Sequence, residues 1–174
     1  MANKKVKEAW KVFADSLSLD FDPGTTFKTP KVEGTYEGHN VILDTYTVST
    51  GQVTVLYTRL KVDVTNIKDL SLRIYHEGFL SRIGKRLGMQ DIETKNLEFD
   101  ETYVVKGNDE LEVLNVLDSS VQSKILSLRE PGKFNMTLKD GSLIYEESEI
   151  ITDIELLRSH LEVLLYISEK ITGK

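Results

Sequence analysis

The chain has 174 residues, a length that suits one domain with its own core. Of these residues 40% are hydrophobic and 29% charged, a composition that excludes a disordered or fibrous protein. It contains no cysteine, which excludes disulfides, thiolate metal sites and a cysteine nucleophile. The net charge of −6 makes nucleic acid an unexpected partner, because that binding depends on neutralising phosphates.

Four of the first ten residues are charged, and no apolar run follows them, so we expect no signal peptide. No stretch approaches the roughly 20 apolar residues that a transmembrane helix requires. From these features, and from the absence of cysteine, we expect a cytoplasmic protein.

Residues 1–30 predict a helix followed by a loop. Over residues 4–18 the apolar side chains recur at the spacing of one helical face, namely Val6, Trp10, Phe13 and Leu17. Pro23 and Gly24 disfavour any continuation of this helix.

Residues 31–78 predict a β meander. Four segments are rich in β-branched residues or alternate in polarity, at 32–36, 41–48, 53–64 and 70–76. Because short turns join them, we expect each strand to pair antiparallel with the one before it.

Residues 79–150 predict a mixed region, and residues 151–174 predict a C-terminal helix. The expected elements are a short helix at 79–87, a strand at 99–106, a helix from 110 to 128 and a hairpin of strands 134–138 and 143–147. Asp109 to Glu112 and Thr152 to Glu155 have the pattern of a capping box, so we expect Asp109 and Thr152 to begin helices.

These elements predict a single α+β domain over residues 1–174. We expect one curved antiparallel sheet of about six to seven strands, with helices at the N-terminus, in the middle and at the C-terminus, and the long C-terminal helix packed on the sheet. Strands and helices do not alternate regularly, which argues against a Rossmann or TIM architecture. A cavity under the C-terminal helix is compatible with this arrangement but is not required by it.

The three histidines, His39, His76 and His160, give no catalytic signature. None is four residues from another, and with no cysteine the chain lacks the usual ligand set of a zinc site. We therefore interpret each as a surface or interface histidine. The chain also lacks a Gly-x-Ser-x-Gly elbow and a phosphate-binding loop.

The segment from 91 to 112 contains eight acidic residues. Hard cations prefer several carboxylate oxygens, so Asp91, Glu93, Asp100 and Glu101 are candidate metal ligands. A solvated acidic surface explains the same residues more simply.

A basic group lies just before this acidic segment. Its members are candidates for binding an anion or a partner, namely Arg73, Arg82, Lys85 and Arg86. If residues 79–87 are helical, the last three share one face, which could meet phosphates, an anionic lipid surface or an acidic partner. Pairing with the protein's own carboxylates is the simpler interpretation, because residues 1–90 contain 13 Lys or Arg against 10 Asp or Glu, and residues 91–174 contain 9 against 18.

One motif resembles a pattern in uncharacterised prokaryotic proteins of the FD-x-x-F-x-V-x-G type. Here it reads Phe99-Asp100-x-x-Tyr103-Val104-Val105-x-Gly107, preceded by a polar segment from 90 to 94 and followed by an amphipathic helix. Tyr103 stands where that pattern has Phe. The resemblance covers about residues 31–148 and implies a strand, a turn and a helix, but no activity, cofactor or functional residue.

We therefore expect a non-enzymatic domain that binds a small ligand or a protein. Self-association into a homo-oligomer, through the sheet edge or the last helix, is an equal alternative. The first alternative is a hydrolase-like enzyme that combines acids of 91–101 with His39 or His76 in one cleft. The second is peripheral binding to an anionic surface through Arg82, Lys85 and Arg86.

Overall fold

The structure is a computed structural model that describes residues 4–25, 28–49, 51–64, 69–76, 89–130 and 133–173. The described residues form an α+β domain. Its helices are α1 (Lys4–Leu17), α2 (Leu97–Thr102), α3 (Glu110–Val116), α4 (Ser119–Leu126) and α5 (Ile154–Thr172). Its strands are β1 (Asp20–Asp22), β2 (Lys31–Tyr36), β3 (His39–Ser49), β4 (Thr54–Asp63), β5 (Leu72–His76), β6 (Gln90–Asp91), β7 (Tyr103–Gly107), β8 (Met136–Lys139) and β9 (Ser142–Glu147).

The strands of the described residues make one open antiparallel sheet in the order β1-β2-β3-β4-β9-β8-β5-β7-β6. The predicted fold class is confirmed, but the sheet has nine strands and not six to seven. The two extra strands are the edge strands β1 and β6, of three and two residues. Strands this short have too few residues to show an alternating pattern.

The predicted four-stranded meander is correct for three strands and wrong for the fourth. β2, β3 and β4 pair in chain order, but β4 pairs next with β9 and β5 pairs with β8. The β8–β9 hairpin is thus inserted between β4 and β5. Leu60 faces Tyr145 across one junction, and Ile74 faces Met136 across the other. Short-range signals do not specify a pairing partner about 85 residues away along the chain.

The first and last helices form where their apolar periodicity predicts them. The N-cap of α5, however, is Asp153 and not Thr152, because the Asp153 carboxylate accepts a hydrogen bond from the Leu156 amide at 3.1 Å. The predicted helix at 79–87 lies outside the described residues. Within the described part of the chain, no helix is long and apolar enough to cross a membrane.

The predicted strand at 99–106 is wrong in its first half. Leu97 to Thr102 form α2, with Asn96 as the N-cap, and the strand begins only at Tyr103. Asp100 accepts hydrogen bonds from the amides of Thr94 and Lys95, which folds the preceding loop back onto the helix. The hydrogen bonds that the side chains of Asn96 and Asp100 accept from nearby backbone amides therefore favour a helix here over the predicted strand.

The predicted helix from 110 to 128 is two helices. Asp109 begins α3 as expected, and its carboxylate accepts from the Glu112 amide at 3.1 Å. Asp118 then interrupts the helix and starts α4 by accepting from the amides of Ser120 and Val121.

The apolar core lies on one face of the sheet, which we call the inner face. Alternate residues of the strands point to it. They are Val32, Val41, Leu43, Leu60, Val62, Leu72, Ile74, Tyr103, Val105, Met136, Leu138, Leu143 and Tyr145. Helix α5 packs against this face through β4 and β9 and is flanked by α1 and α4. The opposite face, which we call the outer face, adds no described strand residue to this cluster, but two of its tyrosines are buried, Tyr57 at 4% and Tyr75 at 2% exposure.

Candidate functional site

The outer face carries a group of aromatic and charged side chains on β3, β4 and β9. The register places Tyr46 opposite Tyr57, Asp44 opposite Arg59, and Arg59 opposite Glu146. We call these five residues the outer-face cluster. They share a face because residues two apart along a strand point the same way and directly paired residues lie side by side.

Direct contacts hold the outer-face cluster together. The rings of Tyr46 and Tyr57 are stacked with their centroids 5.4 Å apart and their planes 19° from parallel. Arg59 donates two hydrogen bonds to Asp44, from Nε to Oδ1 at 2.8 Å and from Nη2 to Oδ2 at 2.6 Å. The same guanidinium lies 5.5 Å from the centre of the Tyr46 ring. A planar guanidinium held at two points has little rotational freedom left, so the cluster is preorganised.

The electrostatics of the cluster keep its phenol Tyr46 and its guanidinium Arg59 protonated. Burial and the hydrogen bond that the Tyr46 hydroxyl donates to Glu146 Oε1, at 2.7 Å, raise the pKa of this phenol well above its usual range. The Asp44 carboxylate raises the pKa of Arg59 in turn. Both groups therefore keep their protons, so neither provides the base or nucleophile that acid–base or covalent catalysis requires.

Sequence analysis missed the outer-face cluster, although a signal was present. Asp44 and Tyr46 are two residues apart on one predicted strand, and Tyr57 and Arg59 are two apart on the next. The antiparallel pairing of β3 with β4 brings both pairs onto one face, which a register alignment of 41–48 with 53–64 would have shown.

Self-association through the sheet edge or the last helix stays a prediction. The sheet edges of the described residues are β1 and β6, and edges of two or three residues offer few unpaired backbone groups. Helix α5 packs between the sheet and its neighbouring helices but keeps an exposed side with Glu155, Glu162 and Glu169.

His160 is not the surface histidine that we predicted. It is 1% exposed, and its ring stacks on Tyr145 at 4.1 Å and on Phe134 at 5.8 Å. Nδ1 lies 2.6 Å from the carbonyl oxygen of Leu156, while Nε2 is buried without a hydrogen-bond partner. Burial lowers the pKa of His160 to about 4. Its spacing from Leu156 and Leu164 in the apolar stripe of α5 could have indicated this core position.

The other two histidines lie on different strands, His39 at the start of β3 and His76 at the end of β5. His39 is half-buried, with Nδ1 3.3 Å from Ser168 Oγ and 3.4 Å from the Asp63 carbonyl oxygen. His76 is exposed at the end of β5, opposite Tyr103 of β7. The proposed combination of either histidine with acids of 91–101 therefore stays a prediction.

The four candidate metal ligands do not converge. Asp91 pairs with Lys106 at 2.5 Å, and Asp100 accepts hydrogen bonds from its own loop. Glu93 and Glu101 are exposed. In the part of the chain that the structure describes, no group of three or more His, Asp or Glu residues is arranged to hold a metal ion.

The structure describes only one of the four candidate basic residues. Arg73 lies on the outer face in β5, with its guanidinium 4.6 Å from the centre of the Tyr75 ring. Arg82, Lys85 and Arg86 lie outside the described residues, so their shared face stays a prediction.

A pocket of about 280 Å³ lies between the C-terminal end of α4 and the first half of α5. One side is formed by Lys124 and the segment that follows α4, and the other by α5. Its lining residues are Lys124, Ser127, Leu128, Arg129, Glu155, Leu156, Ser159, Glu162 and Val163. Sequence analysis allowed for a cavity under the C-terminal helix, and this pocket lies beside that helix.

No model of a known protein family and no curated protein matches the chain. Among solved structures, the crystal structure of the mycobacterial trehalose monomycolate transport factor A, TtfA, is similar to it. The superposition has a TM-score of 0.71 and covers 97% of this chain and 95% of that one, at 8% sequence identity. At this identity the similarity concerns the fold alone.

Proposed function

We propose that this chain is a non-enzymatic protein-interaction domain that binds a partner protein through the outer face of its sheet. The observation that carries the proposal is the outer-face cluster, in which two stacked tyrosines and a doubly bonded arginine lie outside the apolar core. Tyr57 is only 4% exposed, so folding accounts for its position, whereas Tyr46 is half-buried and the Arg59 side chain is 35% exposed. Tyr46 and Arg59 are therefore the members of the cluster that reach the surface.

The residue types of the cluster are those that dominate the energy of protein interfaces. Tyrosine and arginine are enriched among interface hot spots, since each combines a large contact area with hydrogen-bonding groups. Binding is weakened when flexible side chains have to be ordered. Tyr46 and Arg59 are already held by Tyr57, Asp44 and Glu146, so this cost is reduced.

The charges of the outer face favour a protein over a membrane or a nucleic acid. Cations and carboxylates alternate there in pairs, with Lys61 2.8 Å from Asp63 and Lys106 2.5 Å from Asp91. A surface of both signs gives little net attraction to a phosphate polymer or an anionic bilayer. It complements a protein surface that itself carries both charges.

The similarity to TtfA is consistent with this proposal. TtfA is described as a transport factor. By extension we propose an accessory, non-catalytic role for this chain. We propose no common cargo, because the shared fold at 8% identity carries no information about ligand chemistry.

Site-specific photo-crosslinking in cells that naturally express the protein tests this function. A photoreactive residue replaces Val55, which lies on the outer face of β4, or Val12, which is 51% exposed on α1 and serves as the matched control. We expect a discrete protein adduct from position 55 and none of the same mass from position 12. The adduct should disappear when Arg59→Ala is added.

Two results would contradict the proposal. One is an adduct that forms equally at both positions or survives Arg59→Ala. The other is turnover by the purified protein in a broad hydrolase and phosphatase screen, since that would make the chain an enzyme.

A further inference from the structure

The pocket between α4 and α5 has walls of opposite charge. On α5, Glu155, Ser159 and Glu162 follow each other at intervals of four and three residues, so they share one face of the helix and form an acidic wall. On the other side, Lys124 and Arg129 form a basic wall. The two walls belong to different elements, so the pocket separates positive from negative charge.

The two walls are only partly neutralised. Among the described lining residues, no ion pair joins the acidic wall to the basic wall. Arg129 pairs with Asp153, the N-cap of α5, and Glu155 lies 3.9 Å from Arg158 on its own helix. Lys124 and Glu162 are the charges of the described lining that lie outside these pairs. The Lys124 ammonium lies 5.3 Å from the centre of the Tyr166 ring. Charges of opposite sign thus face a shared space without contact across it.

The floor of this space is apolar. Leu128 and Leu156 are each 7% exposed, and Val163 is 2% exposed. The volume of about 280 Å³ is just below the roughly 300–1,000 Å³ typical of pockets for drug-sized ligands. The pocket therefore has room for a short apolar body and not for a large cofactor.

We propose that this pocket binds a small zwitterion that carries an ammonium group and a carboxylate at opposite ends of a short apolar body. Glu162 would receive the ammonium group, Lys124 the carboxylate, and the three apolar residues the body between them, while Arg129 and Glu155 stay in the pairs already described. This site is separate from the outer face of the sheet and does not depend on the function proposed above.

Titration of the full chain with 6-aminohexanoate, followed by amide NMR signals, tests the proposal. Hexanoate and hexylamine are the matched controls, because each has the same chain length and lacks one of the two charges. We expect saturable shifts at Leu128, Leu156 and Val163. We expect the zwitterion to bind about fivefold more tightly than either control, as one partly exposed ion pair allows.

Single substitutions assign each end of the zwitterion. Glu162→Gln should lower the affinity for 6-aminohexanoate to about that for hexanoate, and Lys124→Gln should lower it to about that for hexylamine. Lys139→Gln, in the β8–β9 hairpin and outside the pocket, should leave the affinity unchanged. Equal affinity for all three compounds, or no saturable shift at the pocket residues, would overturn the proposal.

Discussion

Glu146 and Glu147 are neighbours on β9, and each accepts a hydrogen bond from a tyrosine hydroxyl, yet they lie on opposite faces of the sheet. On the outer face, Tyr46 donates to Glu146 at 2.7 Å. On the inner face, Tyr145 donates to Glu147 at 2.5 Å, and Glu147 is 7% exposed. The same pair chemistry thus belongs to a buried core on one side and to a half-buried position on the other.

The two tyrosine–glutamate pairs differ in how many rings pack against the tyrosine and in how deeply it is buried. Tyr145 stacks on both Phe134 and His160, and all three are at most 1% exposed. Tyr46 stacks on Tyr57 alone and is half-buried. From this difference we infer that the inner pair stabilises the fold, whereas the outer pair is available for recognition. The predictions below are ordered by the size of the effect expected from this difference.

Phe134→Ala should give the largest loss of stability. It removes a fully buried ring that contacts Tyr103, Tyr145 and His160, so the free energy of unfolding should fall by about 3–5 kcal/mol. Tyr46→Ala, the matched outer-face change, should cost about 1–2 kcal/mol, because the ring is only half-buried. Urea denaturation measures both, and equal losses would show that the two faces do not differ as inferred.

Acid should destabilise the protein through His160. The unfolded chain takes up this proton near pH 6.5, whereas the folded chain resists it until about pH 4. The stabilisation that comes from keeping His160 neutral is fully present above about pH 6.5. As the pH drops from 6.5 to 4, the free energy of unfolding should fall by about 3 kcal/mol. The measurement is chemical denaturation across this range. His160→Phe, which cannot titrate, should flatten the slope, and an unchanged slope would contradict the role of His160.

The two glutamates of β9 give a direct comparison of the faces. Glu147→Ala leaves the buried Tyr145 hydroxyl without its acceptor, which should cost about 1–3 kcal/mol of unfolding free energy. Glu146→Ala leaves a hydroxyl at a half-buried position that water can reach, so the cost should be below about 1 kcal/mol. Denaturation midpoints, measured at constant m-value, give the loss of unfolding free energy for each variant. A larger loss for Glu146→Ala than for Glu147→Ala would contradict the inferred difference between the two faces.

Arg59→Gln should have the smallest effect on stability. Its side chain is 35% exposed, and ion pairs at such positions contribute about 1 kcal/mol or less. A shift in thermal midpoint far beyond that of an exposed control such as Lys11→Gln would instead make Arg59 a structural residue.

Much of the local structure could be predicted from the sequence. The stripe of Val6, Trp10 and Phe13 predicts α1, and Asp140-Gly141 predicts the β8–β9 hairpin, which the structure confirms. These signals succeed because periodicity and turn chemistry are properties of neighbouring residues.

Prediction failed where distant residues or small polar caps decide the structure. The position of β8–β9 between β4 and β5 depends on pairings such as Leu60 with Tyr145, which no local pattern encodes. Asn96 and Asp118 each begin a helix that the pattern of apolar residues does not predict. The outer-face cluster was missed because it arises only when the register of β3, β4 and β9 is known.

The affinity of Arg59→Gln for the partner protein identified through position 55 tests the central claim most directly. We predict that this variant stays folded and binds about 30-fold more weakly, since one interface hot spot contributes about 2 kcal/mol. The matched variant Lys11→Gln on α1 should bind as the unchanged protein does. If Arg59→Gln binds with unchanged affinity, the outer face is not the recognition surface.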